Sequence, residues 1–125
     1  MSNPNIVAVT SILGKADGAN FANNTSNVLL ANAASSGFVY KINQIVAANV
    51  DGSTAVNTTV GINTVANGSG TTYPIVSTVS VPADASLIVV DKTTAIYLEE
   101  DKSIVVQSGT ASKIAYTISY EIIAS

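Results

Sequence analysis

The sequence contains no His, no Cys, no Trp and no Arg in its 125 residues. Each absence closes off a class of chemistry. Without His, the side chain that most often moves protons near neutral pH is missing. Without Cys there is no thiolate nucleophile, no soft-metal ligand and no disulfide. Without Arg there is no planar fork to clamp a phosphate. Charge is scarce too: 10% of residues are charged, against roughly 25% in an ordinary soluble domain. The five Lys and eight acidic residues give a net charge of −3. They form no basic stripe that could follow a nucleic acid or an anionic membrane. No run approaches the ~20 apolar residues of a membrane helix. The opening Met1-Ser-Asn-Pro shows neither the basic nor the apolar region of a secretory leader. The chain is therefore expected to be made in a cytoplasm, to bind neither nucleic acid nor membrane, and to hold no cofactor or metal.

What is present is Val, Ile, Ala, Thr, Ser and Asn in short alternating runs, with 47% hydrophobic residues overall. A chain of this length makes one domain and can bury a core without metals or disulfides. So little charge on a soluble subunit implies either a Ser/Thr/Asn surface or burial in an assembly.

The run Asn5 to Ile12 is rich in β-branched residues and is expected to form a strand. Gly14 to Gly37 changes character, and its many Asn favour turns. It reads as a long loop or arm with one short strand around Val28–Ala31. From Phe38 to Asn49 the apolar parity changes between Ile42 and Ile45, which one β-bulge would reconcile. Asp51-Gly52 suggests a hairpin turn. Val56, Thr58, Val60 and Ile62 share a face, and Asn67-Gly-Ser-Gly reads as a hairpin loop. Tyr73 to Val81 is a strand, and Pro74 must sit at its start or on an edge. Pro82 to Ser86 turns into Leu87–Val90, Lys92-Thr-Thr turns again, and Ile96–Leu98 and Ile104–Val106 are short strands. Ile114, Tyr116, Ile118, Tyr120 and Ile122 alternate with smaller or polar residues, the mark of a half-buried strand. Eight or nine short strands spaced by turns predict an all-β, single antiparallel β-sandwich, jelly-roll-like first and immunoglobulin-like second. Residues 1–37 would form a strand and arm, and 38–125 the sandwich body.

The chemistry-bearing candidates are weak. Glu99-Glu100-Asp101 could supply oxygen ligands to Ca²⁺, but neighbours along an extended chain point to opposite faces. It reads as a charged turn tip. Asp17-Gly18 and Asp51-Gly52 read as turns, and Asn67-Gly-Ser-Gly-Thr lacks the Gly-Lys ending of a phosphate loop. A nucleophilic Ser would need Lys15, Lys41, Lys92, Lys102 or Lys113 as its base, and no local pattern desolvates any of them. No catalytic residue is expected. Tyr116 and Tyr120 share the apolar face of the last strand and belong to a core or subunit interface rather than a sugar shelf. The arm and its flanks supply the candidate partner contacts: Asn20, Phe21, Asn24, Val28, Leu30, Phe38 and Tyr40.

From Phe38 to Ile123 the chain resembles small virion proteins of tailed bacteriophages, especially those of cyanobacteria. The resemblance rests on Ile42-Asn-Gln-Ile-Val-Ala-Ala-Asn49, Val81-Pro-Ala-Asp-Ala-Ser-Leu-Ile, Tyr97-Leu-Glu-Glu-Asp-Lys-Ser-Ile-Val-Val and the closing Ser119-Tyr-Glu-Ile. Glu100 departs from it, standing where a Gly is expected. The resemblance implies a capsid decoration (cement) subunit located in the virion. It further implies a homo-oligomer, a trimer first, that contacts the major capsid protein or another virion protein. A tail, neck or fibre component acting as an adhesin or carbohydrate-binding sandwich is the alternative.

Overall fold

A computed structural model describes residues 11–124. The strands are β1 (Ser11–Asn20), β2 (Asn27–Asn32), β3 (Phe38–Asn49), β4 (Val56–Asn63), β5 (Thr72–Val81), β6 (Ser86–Val90), β7 (Ile96–Leu98), β8 (Lys102–Ser108) and β9 (Ile114–Ala124). A single 3₁₀ turn, Lys92–Thr94, separates β6 from β7. One sheet runs β1-β9-β3-β6, with β7 also on β3, and the other runs β2-β8-β4-β5. All pairs are antiparallel.

This order is a jelly roll. The chain changes sheet at almost every connection and stays in one sheet only through the β4–β5 hairpin and the β6–β7 interruption. That double Greek key, closed by pairing the first strand with the last, is the jelly-roll arrangement rather than the immunoglobulin-like one. The inner faces meet in one core. Ile42, Ile45, Tyr116 and Ile118 come from the first sheet, and Val60, Ile104 and Val106 from the second. Period-two burial along β9 places Ile114, Tyr116, Ile118 and Tyr120 inside, as their alternation requires.

The expected bulge falls at Asn43. Ile42 lies opposite Tyr120 and Gln44 opposite Ser119, so Asn43 is extra, and both Ile42 and Ile45 reach the core. Pro74 sits on β5, an edge strand, as its missing N–H demands.

Two expectations are corrected. Gly14–Gly37 is not one long arm: it holds all but the start of β1, and β2, joined by a six-residue loop over 21–26. Ten residues of β1 pair in continuous register with β9. Backbone pairing to an existing strand overrides the turn preference of Gly and Asn, which is weak at a solvent-facing edge. Of the strand expected over Asn5–Ile12, only Ser11 and Ile12 fall within the described residues. Asp51-Gly52 does not close a hairpin, because β3 and β4 lie in different sheets. It turns the chain between the two layers.

Candidate interaction surface

Three strands, β2, β3 and β4, end on a buried asparagine, and each of these side chains organises the loop that follows. Asn32 is fully buried; its amide donates to the Phe38 and Leu98 carbonyls at 2.9 and 3.0 Å and its oxygen accepts from Ser36 Oγ. Asn49 donates to the Thr54 and Val81 carbonyls, both at 2.9 Å, and accepts from the Asp51 N–H at 2.8 Å. Asn63 donates to the Gly68 and Gly70 carbonyls and to Thr72 Oγ1, and accepts from the Val65 and Gly70 N–H groups at 3.0 Å. These buried amides are committed to structure. So is the buried Thr58–Tyr116 hydroxyl pair at 2.6 Å.

The candidate contact residues do not gather on one surface. Phe21, Leu30 and Tyr40 pack against the core, and Tyr40 stacks on Tyr120 with ring centroids 5.5 Å apart. Val28 is half-buried on β2, facing Val105 of β8. Asn20, Asn24 and Phe38 are exposed. Asn20 donates to the Ser112 carbonyl at 3.3 Å, and the Asn24 carbonyl accepts from Gln107 Nε2 at 3.1 Å. Asn20 and Asn24 lie at the end of the sandwich where β1 stops, and Phe38 at the opposite end where β3 begins.

The acidic turn connects β7 to β8. Asp101 adopts φ 57, its N–H donates to the Asn32 carbonyl, and its carboxylate accepts from the Ala66 N–H at 3.3 Å. Glu99 pairs with Lys102 at 3.8 Å. Both carboxylate oxygens of Glu100 are shielded from solvent and accept no hydrogen bond. Among the described residues, no three His, Cys, Asp or Glu side chains come together to hold a metal ion. Asp51 and Asp91 serve their own turns, and the hydrogen bonds they accept from Ser53 and from Thr93 hold their carboxyls below the ordinary range.

A shallow groove of about 250 Å³ crosses the outer face of the second sheet. Ser26, Thr59, Thr72 and Gln107 offer it neutral hydroxyl and amide groups, and Pro74 and Val105 give apolar walls. Large apolar side chains also stand in solvent on both flanks of the first sheet. Ile12 and Leu13 on β1 are 59% and 56% exposed, and Ile88 on β6 and Tyr97 on β7 are 59% and 48% exposed.

No family model matches the chain, and no curated protein sequence matches it. Among solved structures the chain is similar to a protein described in the words "Bacillus endospore appendages form a novel family of disulfide-linked pili", with 16% sequence identity and a TM-score of 0.49. The match covers 92% of this chain and 88% of that one. At that identity the likeness concerns the fold alone.

Neither the asparagine caps nor the edge of β1 stood out in the sequence. The caps carried a signal, since β2, β3 and β4 each close an apolar run on Asn before a turn. The edge carried none, because which strand lies outermost depends on the order of the sheet.

Proposed function

We propose that this chain is a structural subunit of a virion surface, a decoration protein that stabilises a capsid shell by non-covalent contacts. The observation that carries the reading is the pair of flanks of the first sheet. Ile12 and Leu13 on one side, and Ile88 and Tyr97 on the other, stand exposed on a jelly-roll body with few charges. Apolar side chains presented on opposite flanks suit a subunit with neighbours on both sides. The resemblance over Phe38–Ile123 supports the virion as the setting and the capsid protein as the partner. The polar groups with firm positions are spent on loops and turns, which suits a building block.

The test is the heat resistance of shells assembled with and without the protein, read as the temperature at which they release their genome. Shells carrying it are expected to survive to higher temperature. Shells carrying Leu13→Asp together with Ile88→Asp are expected to lose that gain while the isolated protein stays folded. Equal resistance with and without the wild-type chain overturns the reading.

A further inference from the structure

A two-sheet sandwich has four edges, and three of them here are blunted. β2 is broken by the irregularity at Leu29. β5 carries Pro74, two register breaks against β4, and Thr78 at φ 52. The β6–β7 edge is interrupted by the 3₁₀ turn at Lys92–Thr94. Bulges, prolines and interruptions are how sheet proteins prevent edge-to-edge pairing. β1 has none of them. It runs ten residues in unbroken register with β9, and among the described strands nothing pairs with its other side.

The residues of β1 are complementary to themselves about Ala16. Set antiparallel to the same strand of a second copy with the two Ala16 residues opposed, Lys15 faces the partner's Asp17, and Asp17 faces the partner's Lys15. Gly14 then faces the partner's Gly18, and Leu13 the partner's Ala19. Residues directly opposite in an antiparallel pair share a face, so both charge pairs fall on the same side within reach of one another. The adjacent registers that keep each face on its own side are penalised. Centring on residue 15 opposes two lysines, and centring on residue 17 opposes two aspartates. Lys15 would blunt this edge against any other strand, but a second copy offers it a carboxylate. Ser11 to Gly18 are exposed, so no side chain of the body needs to move.

We propose that β1 pairs with β1 of a second copy to form a twofold interface, joining the two first sheets into one continuous sheet. This departs from the trimer that the resemblance implies. It does not depend on the virion reading, since such a pair forms without a shell.

Light scattering on the full chain, from micromolar to millimolar, is expected to show a dimer. Lys15→Asp alone and Asp17→Lys alone each oppose like charges, and each is expected to raise the dissociation constant about tenfold or more. An equimolar mixture of the two restores complementarity and the dimer. Asp17→Lys also removes the acceptor of the Tyr120 hydroxyl, so a second variant keeps the test open should that chain fail to fold. The chain has no cysteine, and Ala16→Cys would place two thiols across the twofold axis, at a Cα separation of about 4.5–5.5 Å that a disulfide can span. Rapid oxidation to a covalent dimer is expected for Ala16→Cys, and slow oxidation for Gly14→Cys. A wild-type monomer at all concentrations overturns the proposal. So do equal oxidation rates for the two cysteine variants, or charge variants that stay as tightly paired as wild type.

Discussion

At the scale of single residues, the asparagines closing β2, β3 and β4 explain how a chain with few prolines keeps its sheet ends in place. One amide offers two donors and an acceptor with two lone pairs. It can therefore satisfy several loop groups that a buried turn would otherwise leave unpaired. Asn63 is the most heavily used, with five hydrogen bonds into the segment between β4 and β5. Leaving buried backbone donors unsatisfied costs about 1–3 kcal/mol each, offset where water can enter. Asn63→Ala is thus expected to lower stability by about 3 kcal/mol, read as a fall in the urea midpoint at unchanged slope. Asn63→Asp keeps the two acceptor roles but sets a buried carboxylate oxygen against the Gly68 and Gly70 carbonyl oxygens, and should cost at least as much as Ala. A loss below about 1 kcal/mol for the Ala variant would mean that the loop is held by its glycines and not by the amide.

At the scale of elements, the hairpin of β4 and β5 is the one place where the fold requires glycine inside a strand. A Cβ on Gly61 would stand 2.7 Å from the Tyr73 carbonyl oxygen, 2.8 Å from Thr72 Cγ2 and 3.0 Å from Pro74 Cα. Two of those atoms are backbone, so the strands themselves must part. Gly61→Ala is expected to cost about 1–3 kcal/mol, in the range of overpacked cores. Amide exchange should be faster in β5 than in β9, because β5 is the edge that separates. Unchanged exchange in β5 would contradict this. The glycine looked unremarkable in the sequence, since Val56, Thr58, Val60 and Ile62 already satisfied a strand pattern around it. The same contrast runs through the chain. Alternation made β9 readable, and the parity change between Ile42 and Ile45 gave away the bulge at Asn43, because both are signals within one strand. β1 was unreadable, because what makes Gly14 to Asn20 a strand is the backbone of β9, about a hundred residues away. The open edge was hidden for the same reason. Lys15 and Asp17 become a matched pair only once that strand is known to lie outermost.

At the scale of the molecule, the missing histidines and cysteines shape the response to pH. No side-chain type in this sequence ordinarily titrates between the carboxylates and the tyrosines. Stability should therefore be flat from about pH 6 to about pH 9. Beyond that range the tyrosines between the sheets take over. Burial raises Tyr40 and Tyr116 above the ordinary 10.0. Tyr120 is pushed up to about 12, first by burial, then by the hydrogen bond it donates to Asp17 and the charges of Asp17 and Tyr40. In each case the folded protein prefers the neutral phenol, while the unfolded chain ionises near 10.0. Their contribution is therefore complete below pH 10 and is lost as pH rises towards 12. At the acid end the sign reverses. The lowered carboxyls of Asp51 and Asp91 contribute above their ordinary value of 3.8, and that contribution fades as pH falls below it. Asp91 is exposed and Asp51 no more than half-buried, so the acid effect should be the smaller one. Urea midpoints measured across the range should trace a plateau with a steep alkaline side. Tyr120→Phe, which cannot ionise, should soften that side. A decline that starts well below pH 9, or an alkaline limb unchanged in Tyr120→Phe, would mean that these phenols are more open to water than their packing between β3 and β9 allows.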